Sequence, residues 1–205
     1  MKQRRTLILM GLVLVAIALT TLLSACGAGT KVYTDVTYGY SISYPGDWRL
    51  NNGTSDVTAG GQVSGNVAIY NPEGSKAGDT YVDLALIVVY NLSTKVTDPW
   101  AASTQSELES VLTDLQSRTS DVKVVEPLKQ TTAGGLKGYS VSYTFTKNGA
   151  ALHSTLYFLF DGTREYELNE QAAVASWDKT KLQLDKMVDG FKPGKFKEEK
   201  ATTTT

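Results

Sequence analysis

Residues 139 to 168 read YSVSYTFTKNGAALHSTLYFLFDGTREYEL, and they decide the fold. Tyr139, Val141, Tyr143 and Phe145 alternate with Ser and Thr, the period of a half-buried strand. Asn148-Gly149 follows, a dipeptide that accepts the positive φ angles of a tight hairpin. Residues 152 to 160 form the next strand, and its later half is apolar on both faces. Asp161-Gly162 then turns the chain into a third strand at residues 164 to 168. Three antiparallel strands joined by two tight turns imply an antiparallel sheet with a covered centre.

Working outward, residues 81 to 90 form another β-rich run, apolar on both faces from Leu84 to Val89. Residues 122 to 128 and 67 to 70 add strands, with turns at 71 to 74 and 131 to 135. Residues 51 to 65, rich in Gly, Ser, Thr and Asn, are expected to be a loop. Asp98-Pro99 predicts a helix start, with a second capping-box start at Thr104 and Glu107. Leu108, Val111, Leu112 and Leu115 form its apolar stripe. A closing helix is predicted over 174 to 188, with Trp177, Leu184, Met187 and Val188 facing the core and Phe191 just beyond. A doubly buried sheet needs a layer on each face. The expected class is α+β, an α/β/α sandwich with a central, mostly antiparallel sheet flanked by helices.

The N-terminus carries a different signal. MKQRR precedes an apolar run from Leu7 to Leu23, the pattern of an export signal. Its length is close to the lower limit for a spanning helix, about 17 residues, so a retained anchor is the other reading. Arg4-Arg5 leaves twin-arginine export as an alternative to the general route. Leu23-Ser24-Ala25-Cys26 resembles a bacterial lipobox. Small residues let an extended backbone enter a signal peptidase, and the thiol accepts a diacylglyceryl group. The resemblance implies that Leu23, Ser24 and Ala25 are recognised, that cleavage precedes Cys26, and that Cys26 is lipidated. Two or three acyl chains hold a protein on a membrane stably. Cys26 is the only cysteine, so the mature fold has no disulfide.

Removing residues 1 to 25 takes Lys2, Arg4 and Arg5 from the 20 basic residues and leaves the 21 acids in excess by four. A mildly acidic chain without a basic stripe argues against nucleic-acid binding. The expected organisation is a signal peptide at 1–25, a lipidated tether at 26–32, one domain at 33–192 and a disordered polar tail at 193–205.

A further stretch, YTDVTYGYSISYPGDW at residues 33 to 48, places Tyr38, Tyr40, Ile42 and Tyr44 on one strand face. Pro45-Gly46 stops the strand, and Trp48 is read as a plug folded over the sheet end or as a ligand-facing wall. This stretch resembles the opening of PsbP-like domains: a Gly-aromatic-Ser-Ile strand, then Tyr-Pro, a short gap and Trp. The strand at 161 to 168 and the helix from Trp177 to Phe191 are similar to the end of the same family. The resemblance implies the α/β/α sandwich, no enzyme activity, and a role as an accessory or assembly subunit of a membrane complex. The best-known members are extrinsic subunits of photosystem II that help retain calcium and chloride, so calcium enters by family analogy alone. The implied location is the outer face of the cytoplasmic membrane, or the periplasm or outer membrane, held by the lipid on Cys26. Tyr33, Tyr38 and Trp48 are the candidate ligand or partner surface. The alternative is a small-ligand or ion-binding envelope lipoprotein using residues 51 to 65 and the aromatics near Trp48.

No residues point to catalysis or to a metal. His153 is the only histidine, so a Ser-His-Asp triad would need it. It lies opposite the face of Leu152, Leu156 and Phe158, and neighbouring Ser154 points away from it. There is no Gly-x-Ser-x-Gly elbow, and one histidine without free cysteine cannot make a zinc site. Residues 60 to 65 are Gly-rich but lack the Lys-Ser/Thr of a phosphate loop.

Overall fold

The computed structural model describes residues 29–52 and 63–194. In chain order these form β1 (Thr30–Asp35), β2 (Tyr40–Pro45), β3 (Arg49–Asn52), β4 (Val63–Tyr70), β5 (Lys76–Ala77), β6 (Thr80–Tyr81) and β7 (Leu84–Asn91). Then follow α1 (Ala102–Arg118), β8 (Lys123–Ala133), β9 (Leu136–Lys147), β10 (Ala150–Asp161) and β11 (Arg164–Ala173). A 3-10 turn (Val174–Ser176), α2 (Trp177–Asp189) and β12 (Lys192–Pro193) end the described chain.

The two expected hairpins set the register of the main sheet. Asn148 and Gly149 take φ of 52° and 77°, and Lys147 pairs with Ala150 across them. At the next turn only Gly162 is positive, at 65°, and Asp161 pairs with Arg164. That is the pattern of a turn with Gly at its first central position. The seven strands run in the order β3-β4-β7-β11-β10-β9-β8, and every pair is antiparallel. The doubly apolar run at Leu84 to Val89 is β7, an interior strand, as its composition requires.

The layers are less helical than an α/β/α sandwich. On one face α1 packs Leu108 onto Tyr139, Val141, Tyr143, Phe158 and Phe160. On the other face α2 shares the cover with a three-stranded sheet, β1-β2-β12. There Tyr40, Ile42 and Trp48 join Leu184, Met187 and Phe191 over Ile87, Leu159, Tyr166 and Leu168. The second layer is part sheet because β2 alternates: Tyr40 and Ile42 are buried while Ser41 and Ser43 are half-buried. The expected antiparallel sheet has one helix on each face, in a fold richer in sheet than an α/β/α sandwich implies.

Several expected boundaries move, each for a physical reason. Tyr38 lies in the turn before β2, where Asp35 Oδ1 accepts the amides of Thr37 and Tyr38, each at 2.9 Å. Residues 51 and 52 belong to β3 and 63 to 65 to β4; the rest of the expected loop lies outside the described residues. The turn expected at 131 to 135 narrows to Gly134-Gly135, with φ of 58° and 80°. Thr30 to Val32, assigned to the tether, pair with β2, and so does Pro193, assigned to the tail.

The start of α1 is also corrected. Its N-cap is Ala101, with no side-chain cap, and Thr104 is buried within the helix. Asp98 instead closes the preceding turn through its Oδ1 to Trp100 N at 3.1 Å and its carbonyl to Ala101 N at 3.2 Å. Trp100 Nε1 donates to the Gly138 carbonyl at 2.9 Å, which fixes where the helix leaves the sheet. Val111 falls at the margin of the packed seam and is 49% exposed.

The run at 81 to 90 breaks at Val82 and Asp83. Asp83 is buried, and its carboxylate gathers three segments: Ser75 N at 3.0 Å, Ala173 N at 3.1 Å and Ser176 Oγ at 3.3 Å. Its own carbonyl accepts Asn71 N at 2.9 Å.

Candidate functional site

The expected surface residues separate. Trp48 is 1% exposed and sits in the core with Tyr40, Ile42 and Leu184, so the ligand-facing reading of Trp48 is withdrawn. Its placement follows from the Pro45 turn: Trp48 N donates to Pro45 O at 3.0 Å, which folds the indole inward. Tyr33 and Tyr38 are half-buried. Tyr33 packs edge-on to Tyr40, ring centres 6.1 Å apart. Tyr38 is held through its carbonyl, which accepts Arg164 Nη1 at 2.7 Å. Tyr38 thus helps fix the three-stranded layer to β11, while Tyr33 packs within that layer against Tyr40. Leu23, Ser24, Ala25 and Cys26 lie outside the described residues.

His153 does meet a serine, though not its sequence neighbour. Ser142, on β9, places Oγ 2.7 Å from His153 Nε2 and 3.2 Å from Thr155 Oγ1. The His153 ring stacks on Trp177 of α2, centres 3.8 Å apart and planes within 5°. The Ser-His distance suits base-assisted attack. The setting does not: Ser142 is 5% exposed in a strand paired on both sides. Ser142 pairs with Thr155 on β10 and with Glu126 on β8, inside the sheet. Burial pulls the imidazole pKa down, which keeps the stacked ring neutral. The geometry gives the pair a packing role at the α2–sheet seam.

Three glutamates on β11 went unread in the sequence. Glu165 is pushed up to about 8 by burial and by the charges of Glu167 and Glu107. Glu167 is raised to about 7 by burial, and the Tyr90 hydroxyl, 3.4 Å from its Oε2, opposes the shift. Glu170 points to the opposite face, is 1% exposed, and is raised to about 8 by burial and then by Asp185. Tyr157 donates to Glu170 Oε2 at 3.3 Å, and Oε1 has no hydrogen-bond partner among the described residues. Beside it lies an apolar cavity of about 10 Å³, lined by Ile42, Ile87, Leu168 and Met187. That space holds one water at most. The overlooked signal is position: REYELNE reads as one dry and one wet face, but β11 lies between β7 and β10.

Among the described residues, no three His, Cys, Asp or Glu side chains gather in a metal-holding group. No helix of the described residues is long and apolar enough to cross a membrane.

The pattern of the PsbP family matches residues 28–193. The chain belongs to the PsbP family. Among solved structures it is similar to cyanobacterial PsbP (CyanoP) from Synechocystis sp. PCC 6803, at 14% identity and a TM-score of 0.58. That match covers 82% of this chain and 95% of CyanoP. It is also similar to LpqN of Mycobacterium tuberculosis, described as involved in cell envelope biogenesis. There the identity is 14% and the TM-score 0.50, over 81% of this chain and 91% of LpqN. At these identities the structural likeness speaks for the fold alone. No curated protein matches the sequence.

Proposed function

We propose that this PsbP-family chain is a lipid-anchored, non-enzymatic protein on the outer face of the cytoplasmic membrane, an accessory or assembly subunit of a membrane complex. One observation carries the reading. The family domain begins at residue 28, two residues after the cysteine that closes the lipobox-like Leu23-Ser24-Ala25-Cys26. A domain that starts where a signal peptidase would release the chain is arranged for display on a membrane. The envelope role given for LpqN agrees with that placement. The buried, packed state of Ser142 and His153 favours a protein that works by contact.

Mass spectrometry of the native protein tests the anchor. The reading expects an acylated Cys26 at a new N-terminus; an intact leader or a free Cys26 thiol would overturn it. Mild crosslinking and purification from solubilised membranes tests the partner, which is expected as membrane-protein subunits recovered with the chain. Recovery of the chain alone would count against a subunit role.

A further inference from the structure

Cys26 stands four residues before Thr30, the first residue of β1. Whatever their conformation, four residues span at most about 14 Å. The position of Thr30 therefore limits which part of the domain can meet a bilayer that holds Cys26.

The register tells where Thr30 lies. It pairs with Pro45, at the end of β2. From Pro45 the chain turns through Trp48 to Arg49, which pairs with Tyr70 at the end of β4. The Tyr81 ring of the β5–β6 hairpin stacks on Tyr70, centres 4.9 Å apart, and Lys76 Nζ sits 4.4 Å from the Tyr81 ring centre. Ala77 and Val82 pack this hairpin against Leu152, Ala150 and Ala173, beside the Asn148-Gly149 turn. All these features share one end of the main sheet. The Gly162-Thr163 turn closes the other end of β10, whose twelve residues extend about 40 Å.

We propose that the end bearing Tyr70, Tyr81 and Lys76 lies on the phospholipid headgroup layer, with the strands standing away from the bilayer. The proposal rests on the lipid anchor at Cys26 and names the surface that anchor presents to the membrane. Its chemistry suits that occupant. Tyr70 and Tyr81 are half-buried, with rings that prefer an apolar boundary and hydroxyls that prefer water. Lys76 is exposed, and its ammonium lies over the Tyr81 ring, where it can also meet a headgroup phosphate. Nearby Lys31, Arg49, Lys76 and Lys147 are offset to within one charge by Asp47, Glu73 and Asp79, all exposed. The contact is thus one of amphipathic side chains and needs no anionic lipid.

The test uses the full, acylated protein in phosphatidylcholine vesicles that carry a headgroup energy acceptor. Acylation consumes the native thiol, so a donor dye is attached at Thr80→Cys, in the β5–β6 hairpin, or at Thr163→Cys, in the opposite turn. Both sites are exposed. Energy transfer is expected to be at least several-fold stronger from residue 80. Equal transfer from the two positions would overturn the orientation while Cys26 acylation, read by mass spectrometry on the same sample, still stands. A free Cys26 in that sample would overturn the anchor and the orientation together. In Tyr70→Ser/Tyr81→Ser, with acylation intact and unchanged circular dichroism, the difference between the two positions is expected to shrink. A difference of full size in that variant would overturn the role given to the tyrosines.

Discussion

Asp83 Oδ1 accepts the backbone amide of Ala173 at 3.1 Å, joining the break before β7 to the end of β11. The same carboxylate holds Ser75 N and Ser176 Oγ, so one side chain fixes the β5–β6 hairpin, the last sheet residue and the entry to α2. Truncation would leave two backbone amides facing a buried gap. Each unsatisfied buried donor costs about 1–3 kcal/mol. Asp83→Ala is therefore expected to lose about 3 kcal/mol in urea unfolding. A loss under about 1 kcal/mol would show that water replaces the carboxylate.

His153 gives a direct reading of its surroundings, because a chain with one histidine has one imidazole titration. Burial lowers its pKa below the ordinary 6.5; Glu126 and Asp178 pull it back up by less, and Lys181 adds to the lowering. The folded state then resists a proton that the unfolded state accepts. The stability this group contributes is present above about 6.5 and is lost as pH falls toward the folded value. The NMR midpoint of the ring protons is expected below 6.5. In Trp177→Ala, which uncovers the ring, it should move back up toward 6.5. A wild-type midpoint above 6.5 would contradict the packed, neutral ring.

Hairpins and strand types were legible because their cause is local. Asn148-Gly149 accepts positive φ wherever it stands, and alternation such as Tyr139 to Phe145 marks a face without reference to a partner. Trp48 was half legible: its turn is local, but the choice between plug and wall depended on what lay above it. Two features had no local cause. The start of α1 is fixed by Trp100 reaching Gly138, a contact 38 residues long. The half-burial of Glu165 and Glu167 and the full burial of Glu170 follow from the strand order, which puts β11 between β7 and β10. Nothing within REYELNE states that order, so Glu165 and Glu167 look like an ordinary wet face, and Glu170, on the face of Tyr166 and Leu168, looks like the end of the dry one.

Those glutamates set the pH response between about 4.5 and about 8. Glu170 holds its proton to about 8 in the folded protein, against an ordinary 4.5 when unfolded. Its favourable protonated state is fully available below about 4.5, and the stability it gives is lost as pH rises toward about 8. The slope is at most about 1.4 kcal/mol per pH unit for one group. Glu165 and Glu167 shift in the same direction and add to it. Thermal unfolding from pH 5 to 9 should therefore show a falling Tm. Glu170→Gln keeps an acceptor for Tyr157 without the charge, so its Tm should fall less steeply and exceed the wild type at pH 9. Parallel curves for the two proteins would show that Glu170 is ionised throughout.

Two glycines of the β9 region separate crowding from backbone strain. A Cβ on Gly138 would sit 1.8 Å from the Phe158 carbonyl oxygen, a backbone atom that cannot move aside without opening the β9–β10 ladder. The same residue supplies the carbonyl that holds Trp100, so opening the ladder also frees the start of α1. Overpacking a tight site costs about 1–3 kcal/mol and more where no side chain can yield. Gly138→Ala is expected to exceed that range or to abolish folding, read as loss of the cooperative urea transition. Gly149 has open space around its Cβ position but a φ of 77°. There an alanine meets only the left-handed backbone penalty, about 1–2 kcal/mol. Gly149→Ala should fold with a modest drop in midpoint. A Gly138→Ala protein as stable as Gly149→Ala would mean that β9 and β10 can separate at Gly138 without loss, against the close approach of their backbones there.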